Sequence, residues 1–271
     1  MSQRSPSTLS LERNGAVLHV TLNRPQQRNA MSLPMVEELI AALKEAERDK
    51  VRIVVLRGAG GHFSAGADLK DMAAARASPI EDGKDPVAET NAAFGHLCAA
   101  YARSPLAIIA ILEGAVMGGG FGLSCCSDVA IAAKSVDFRL PETSLGVIPA
   151  QIAPFLVERV GYSEAKRLAV TGARFGAVEA LRIGLVHLVC DGEDDIAAAL
   201  RESIRQILAC APGAIGETKK LLRRARLEDP ASLVDHAASV FASAARGAEG
   251  EEGLKAFVEK RKPGWAQESG T

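Results

Sequence analysis

The sequence predicts an α/β protein in which strand–helix units extend to about residue 190 and a helical segment follows. Three observations lead to this prediction. Short apolar strand patterns alternate with helical patterns, two glycine-bearing turns each follow an apolar strand, and residues 194–260 form successive helical patterns. With 271 residues, of which 48% are hydrophobic, the chain is long enough for one large core or for a core with a helical appendage.

Local patterns predict the elements in chain order. The first part contains a hairpin over 8–22 with its turn at Asn14-Gly15, a helix over 33–48 opened by Ser32 and Pro34, strands over 51–56 and 106–112, and a helical segment over 67–104. The second part contains short strands over 129–132 and 186–190 and helices over 194–210, 213–227, 230–245 and 248–260. Pro79 and Asp82-Gly83 interrupt the helical segment, which predicts a mobile loop there.

Composition excludes several classes of function. The 32 basic and 33 acidic residues leave a net charge of -1, and aromatic residues make up only 4% of the chain, so a nucleic-acid partner is not expected. No apolar run is long enough to span a bilayer, so a membrane is not expected either. Five cysteines without C-x-x-C spacing indicate reduced thiols, and residues 1–6 lack the apolar segment of a secretion signal. We therefore expect a cytoplasmic protein.

The run of residues 111–123 is the most informative stretch, because an apolar strand pattern enters Gly118-Gly119-Gly120 and a helical pattern leaves it. Backbone N–H groups at such a turn hold a negatively charged oxygen. A second turn, Gly61 to Leu69, follows another buried strand. If the two strands are neighbours in a sheet, one N–H from each turn donates a hydrogen bond to the same carbonyl oxygen. Loss of one such donor raises the activation barrier by about 3–4 kcal/mol.

The alternative is that these glycines only permit tight turns and close helix packing. The spacing of the run is neither that of a phosphate-binding loop nor that of a dinucleotide-binding turn, so a dinucleotide site is not expected. Glu142, which follows Pro141 and precedes Leu145, is the candidate for acid–base chemistry, because an apolar pocket raises the pKa of a carboxyl group. Its alternative role is that of an acidic residue favoured at a helix N-terminus.

Seven stretches, in order, resemble the enoyl-CoA hydratase/isomerase family, also called the crotonase superfamily. They are Leu22-Asn23-Arg24-Pro25 with Arg28-Asn29-Ala30, Phe63 to Asp68, Gly114 to Gly120, Ser127 to Ala132, Pro141-Glu142 with Leu145-Gly146, Ala180 with Gly184-Leu185-Val186, and Ala256 to Pro263. The resemblance implies a ClpP/crotonase-like spiral of ββα units over residues 1–195. It also implies a C-terminal helical trimerisation region over residues 196–271, in a homotrimer or a dimer of trimers.

The resemblance also assigns roles to site residues. The amides of Ala67 and Gly119 form an oxyanion hole around a thioester oxygen, and Glu142 is the catalytic acid and base. Coenzyme A then enters as part of an acyl-CoA substrate, so neither a resident cofactor nor a metal is expected.

Four further residues are assigned to substrate binding by the same resemblance. The backbone of Ala65 contacts the adenine of coenzyme A, and Asp68 belongs to the same motif. Phe257 and Lys260 reach the adenine and the phosphate groups from a neighbouring subunit, and a lysine there also suits a ligand that carries phosphates.

The chain departs from the family at Gly122, where typical hydratases carry a second glutamate. This one-glutamate pattern, with residues 120–123 and 148–154, resembles a bacterial subgroup that hydrates 3-substituted glutaconyl-CoA esters in leucine and acyclic-terpene breakdown. Such substrates carry a second carboxylate, so a missing enzyme carboxylate at Gly122 relieves repulsion and leaves volume for substrate binding. Arg139 and His96 are the candidates to meet the substrate carboxylate.

The resemblance to this subgroup implies a hydratase, and we favour isohexenylglutaconyl-CoA as its substrate because the small residues of 72–77 would leave room for an isoprenoid tail. Alanines are also simply good helix formers. Three alternatives remain open at this point. They are a methylglutaconyl-CoA hydratase, an enoyl-CoA isomerase, which also needs only one base, and a non-catalytic RNA-binding relative.

Overall fold

A computed structural model describes residues 7–267, in which nine strands and eleven α-helices alternate. The strands are β1 (Leu9–Asn14), β2 (Val17–Leu22), β3 (Ile53–Gly58), β4 (Ala107–Leu112), β5 (Ala115–Met117), β6 (Val129–Ala133), β7 (Asp137–Arg139), β8 (Arg174–Gly176) and β9 (Leu188–Cys190). The helices are α1 (Leu33–Arg48), α2 (Leu69–Ala77), α3 (Pro86–Arg103), α4 (Gly119–Cys125), α5 (Ala153–Thr171), α6 (Ala177–Arg182), α7 (Glu193–Leu208), α8 (Pro212–Ala225), α9 (Val234–Arg246), α10 (Ala248–Val258) and α11 (Gly264–Gln267).

The main sheet has six strands in the order β1-β2-β3-β4-β6-β9. β1 and β2 form the predicted antiparallel hairpin, and the other pairs are parallel. Every residue of β4 is buried, because helices cover both faces of the sheet. One face packs against α1 and α3, and the other against α7.

The predicted α/β class is confirmed, and the hairpin, α1, β3 and β4 lie where the sequence predicts them. α1 begins as expected, with the Ser32 side chain accepting a hydrogen bond from the Met35 amide, and its apolar stripe faces the core. A second sheet of β5, β7 and β8 was not predicted, because three-residue strands are too short to show a period of two. α5 also escaped prediction, since Gly161 at φ 77° interrupts its helical pattern.

The predicted division between residues 195 and 196 falls inside α7. Ile196 and Leu208 of this helix pack with Ile131 and Cys190 of the main sheet. α7 therefore packs on the main sheet, and the division of the chain into a core and a helical region stays a prediction. Trimerisation through the later helices stays a prediction. No helix within residues 7–267 has the length and apolar character needed to cross a membrane.

Candidate active site

The two glycine-bearing turns lie at the same edge of the main sheet, as the sequence predicts. β3 and β4 are parallel neighbours, with Leu56 opposite Ala110. The segments that follow these two strands are also joined by backbone hydrogen bonds. The Ser64 amide donates to the Ala115 carbonyl at 3.0 Å, and the Met117 amide donates to the Ser64 carbonyl at 2.9 Å. The first turn is therefore hydrogen-bonded to the strand that leads directly into the glycine run.

Glycine is required where the two turns touch. A Cβ atom on Gly120 would lie 2.6 Å from Ser64 Cβ and 2.8 Å from the Ser64 carbonyl oxygen. Gly66 has φ +97°, and a Cβ there would lie 3.0 Å from the Met117 carbonyl oxygen. The glycines do permit close packing, and that packing is what brings the two turns together.

The amides of Ala67 and Gly119 are free. Met31 donates to the Gly66 carbonyl at 2.7 Å and accepts from the Asp68 amide at 3.1 Å, so the Ala67 amide between them points away from Met31. Gly119 is the first residue of α4, where an amide has no partner within the helix. Neither amide donates a hydrogen bond within the described part of the chain.

A buried polar cluster holds the first turn in place. Asn29 accepts from the Arg24 amide at 2.9 Å and donates to the His62 carbonyl at 2.7 Å. The Arg24 guanidinium donates to Asp68 Oδ2 at 2.7 Å, and Asp68 Oδ1 accepts from the Lys70 amide at 2.9 Å. Burial alone would raise the pKa of Asp68, but these bonds hold it below its ordinary value.

The cluster gives Asp68 a structural role, and its contact with substrate stays a prediction. Both of its carboxylate oxygens are occupied, one by an ion pair and the other by a helix-capping bond. Asp68 lines the cavity but is a positioning residue, since it fixes the backbone on the C-terminal side of the Ala67 amide.

The Glu142 carboxyl group reaches the glycine run from a short 3-10 turn, Glu142–Leu145. A Cβ on Gly118 would lie 3.0 Å from Glu142 Oε1, so the carboxyl group lies directly beside the backbone that precedes Gly119. Glu142 Oε2 is buried and has no hydrogen-bond partner within residues 7–267. Burial raises the pKa of Glu142, and its own backbone amide opposes that shift only in part.

A cavity of about 850 Å³ brings Ala67, Gly119 and Glu142 together. Its other walls come from α1, α2, α3 and the segment that follows Glu142. The lining residues from these walls are Met31, Leu33, Val36, Asp68, Asp71, Met72, Ala73, Ala75, Arg76, Asp85, Val87, Thr90, Asn91, Phe94, Leu145, Gly146, Val147, Ile148, Pro149, Ala150, Gln151 and Ile152.

Gly122 does not line this cavity, which corrects its predicted role in substrate binding. The residue is buried in α4, where a Cβ would lie 2.9 Å from Ile152 Cγ1 and 3.2 Å from Phe94 Cζ. The volume that a second glutamate would need is occupied by these two side chains. The side chains packed around Gly122 therefore leave no room for a carboxylate at this position.

Arg139 does not line the cavity either, which corrects the prediction that it contacts the substrate carboxylate. Its guanidinium donates to the Gly172 carbonyl at 3.1 Å and to Ser144 Oγ at 3.3 Å. Ser144 Oγ in turn donates to the Pro141 carbonyl at 2.6 Å. Arg139 thus supports the turn that carries Glu142. His96 is exposed and is also absent from the cavity walls.

This placement makes a prediction for Arg139→Ala. Loss of two hydrogen bonds loosens the Glu142 turn, so kcat should fall about tenfold with every acyl-CoA substrate, charged or uncharged. The measurement is kcat for one carboxylated and one uncharged enoyl-CoA. Arg174→Ala, which removes the neighbouring guanidinium paired with Asp137, is the control and should leave kcat unchanged. A selective loss with the carboxylated substrate would contradict the structural assignment.

The other predicted binding residues lie outside the cavity walls. Ala65 donates to the Arg28 carbonyl at 2.8 Å, and its own carbonyl accepts no bond within the described residues. Phe257, in the last turn of α10, is 84% exposed, and Lys260 follows that helix. Their proposed contacts with coenzyme A stay predictions.

The sequence analysis gave no individual role to four residues that shape the site: Met31, Phe94, Gln151 and Ile152. Gln151 Nε2 donates to Asn91 Oδ1 at 3.0 Å and thereby ties the segment after Glu142 to α3. Met31 had a usable signal, since it directly follows Arg28-Asn29-Ala30. Gln151 and Ile152 lie in the 148–154 stretch of the subgroup pattern. Phe94 had no signal, because an apolar residue in a helical pattern is ordinarily assigned to a core.

Comparison with known proteins gives consistent matches over almost the whole chain. Residues 12–268 match the protein-family model described as enoyl-CoA hydratase/isomerase. A protein named probable enoyl-CoA hydratase echA8, from Mycobacterium bovis, is 33% identical over 258 residues, which are 94% of this chain and 96% of that protein.

Solved structures match more closely. An enoyl-CoA hydratase/isomerase from Marinobacter aquaeolei has a TM-score of 0.92 and 52% identity, and the match covers 96% of this chain and 99% of that one. Pseudomonas aeruginosa AtuE has a TM-score of 0.92 and 53% identity, and the match covers 96% of this chain and 100% of that one.

Proposed function

The chain belongs to the enoyl-CoA hydratase/isomerase family, and from this premise we propose that it hydrates a branched enoyl-CoA that carries a second carboxylate. The family match makes it a hydratase-type carbon–oxygen lyase, and the similar structures confirm the predicted ClpP/crotonase-like fold. The favoured substrate is isohexenylglutaconyl-CoA. The first alternative is methylglutaconyl-CoA.

A single observation carries the proposal. Glu142 is the only acidic residue among the described cavity walls that has a buried carboxylate oxygen without a partner. The cavity also contains Asp68, Asp71 and Asp85, but each accepts a backbone hydrogen bond that caps a helix or anchors its first residue. One carboxyl group is therefore available for proton transfer.

The proposed reaction uses that group twice. The Glu142 carboxylate takes a proton from water while the water oxygen attacks Cβ of the double bond. The amides of Ala67 and Gly119 stabilise the negative charge that develops on the thioester oxygen. Glu142 then returns the proton to Cα, so that one water has been added and the carboxylate is regenerated.

The shape of the cavity supports a long branch on the substrate. Apolar residues of the segment after Glu142, including Leu145, Val147 and Ile148, form one wall, and Met72 with two alanines of α2 forms another. Each methylene buried against such walls contributes about 0.8 kcal/mol. An isohexenyl branch should therefore bind more tightly than a methyl branch.

The test is a comparison of isohexenylglutaconyl-CoA, 3-methylglutaconyl-CoA and crotonyl-CoA by loss of the absorbance of the conjugated thioester. We expect the highest kcat/KM with the isohexenyl ester. A higher value with the methyl ester supports the first alternative. Persistence of the absorbance with all three, while coenzyme A esters still bind, excludes hydration as the function.

An isomerase remains the second candidate, because the single unpartnered carboxylate of Glu142 satisfies its need for one base. Mass spectrometry of the product separates the two reactions. Hydration yields a product heavier by one water, whereas isomerisation leaves the mass unchanged and moves the double bond.

The packing at Gly122 makes a further prediction. Gly122→Glu should not restore a second catalytic acid, because its side chain collides with Phe94 and Ile152. Overpacking of this kind costs about 1–3 kcal/mol, so both Tm and kcat should fall. Gly122→Glu combined with Ile152→Ala should recover part of the Tm. A variant with normal Tm and raised kcat would contradict this account.

A further inference from the structure

Arg76 is the single basic residue among the described residues that line the cavity. It lies in the last turn of α2 and is exposed. No hydrogen bond or ion pair to its guanidinium occurs within residues 7–267. Ten other arginines within residues 7–267 are paired with a carboxylate. The Arg76 guanidinium has no such partner there, so it is available to a ligand at the wall of the substrate cavity.

The acidic residues of the cavity do not compete for Arg76. Asp68 is paired with Arg24, Asp71 accepts from the Leu33 amide at 2.7 Å, and Asp85 accepts from the Val87 amide at 2.9 Å. Each carboxylate accepts a hydrogen bond from a backbone amide at the start of a helix or from a guanidinium. None of these three carboxylates forms an ion pair with Arg76.

The position of α2 also points to a ligand. None of its residues is buried, yet Met72, Ala73, Ala75 and Arg76 all face the cavity. The helix is thus a wall of the binding site and not a part of the core. Its apolar residues suit a hydrocarbon branch, and its last turn places a cation at the same wall.

We propose that Arg76 binds the distal carboxylate of the acyl group and selects carboxylated over uncharged enoyl-CoA substrates. This inference rests on the proposed function, and it assigns to Arg76 the contact that sequence reasoning assigned to Arg139. A guanidinium binds a carboxylate through two parallel hydrogen bonds, which a lysine does not reproduce. Because the charge of this carboxylate does not change while water adds to the double bond, the contact stabilises substrate and transition state equally.

The test is the kinetics of Arg76→Ala with 3-methylglutaconyl-CoA and with 3-methylcrotonyl-CoA, which lacks the carboxylate. We expect KM for the carboxylated ester to rise about tenfold to a hundredfold with little change in kcat. KM for the uncharged ester should stay within about twofold, and Arg76→Lys should recover part of the discrimination. Lys70→Ala, on the same helix but outside the cavity walls, is the matched control and should change neither KM.

Three outcomes overturn the inference in distinguishable ways. Equal rises in KM for both esters place Arg76 on the coenzyme A phosphates, which both esters share. Unchanged KM for both, in a wild-type enzyme that prefers the carboxylated ester, removes Arg76 from substrate binding but leaves the proposed function intact. A wild-type enzyme that shows no preference for the carboxylated ester overturns the proposed function and this inference together.

Discussion

Replacing Glu142 with glutamine should reduce kcat by roughly a thousandfold or more while leaving the protein folded. Acid–base catalysis by one group typically contributes about 10²- to 10⁴-fold, and the upper part of that range applies when one carboxyl group makes both proton transfers. Glutamine has the same shape but neither accepts nor returns a proton. The measurement is kcat with the best glutaconyl ester, together with the affinity for a coenzyme A ester, which should change little.

Stability provides an independent check on the same variant. The folded-state pKa of Glu142 is raised by burial, so the native state binds a proton more tightly than the unfolded state does. The charged carboxylate therefore destabilises the fold, and this cost grows as pH rises from the unfolded-state value through the folded-state pKa. Glu142→Gln should match or exceed the wild-type Tm at neutral pH, and the difference should vanish in acid.

The pH profile follows from the same shift. A base must be deprotonated, so the acidic limb of kcat/KM should lie above the pH at which an ordinary glutamate titrates. Asp71→Asn is the matched control, because it changes another cavity carboxylate to an amide but keeps an oxygen to accept from the Leu33 amide. Near-normal turnover of Glu142→Gln, or an acidic limb at the ordinary position, would remove Glu142 from its role.

Replacing Gly120 with alanine should have the second-largest effect. The new methyl group would lie 2.6 Å from Ser64 Cβ and 2.8 Å from the Ser64 carbonyl oxygen, so the two turns must separate. Ser64 is fully buried and holds Met117 through its backbone, so the clash is not relieved by a side-chain rotation. Misplacing one oxyanion donor costs about 10²- to 10³-fold in kcat, and the overpacking costs about 1–3 kcal/mol of stability.

The control for Gly120→Ala is Gly176→Ala in β8, where the nearest atom to a new Cβ is the Val136 carbonyl oxygen at 3.7 Å. This control should keep kcat near the wild-type value. Kinetics of Gly120→Ala well below its Tm separate a misplaced oxyanion donor from simple unfolding. A folded Gly120→Ala enzyme with wild-type kcat would show that the distance between the turns does not limit catalysis.

Much of the secondary structure was predictable from local sequence patterns. The hairpin at Asn14-Gly15, the capped helix α1 and the buried strand β4 each show their period and their boundary signals within a few residues. The glycine run is also recognisable in the sequence, because glycine is needed where two backbone segments are in contact. Even the pairing of the two turns follows from one assumption, that β3 and β4 are neighbours.

Prediction of side-chain roles was weaker. Arg139 and Arg76 have the same chemistry, and nothing in the sequence says which guanidinium is already used by Gly172 and Ser144. Gly122 similarly looked like space for substrate, but the space is filled by Phe94 and Ile152, which lie 28 and 30 residues away along the chain.

The sequence by itself thus determined the hairpin, α1, β3 and β4, the place of the glycine-bearing turns and the identity of one candidate carboxylate, Glu142. Only the tertiary structure decided which groups line the cavity and which are already hydrogen-bonded to other parts of the protein. It also showed that α2 is a wall of the site and not part of the core. The physical reason is that periodicity and turn chemistry act over a few residues. The direction and the partners of a side chain are set by packing between segments far apart in sequence, such as Asn91 and Gln151.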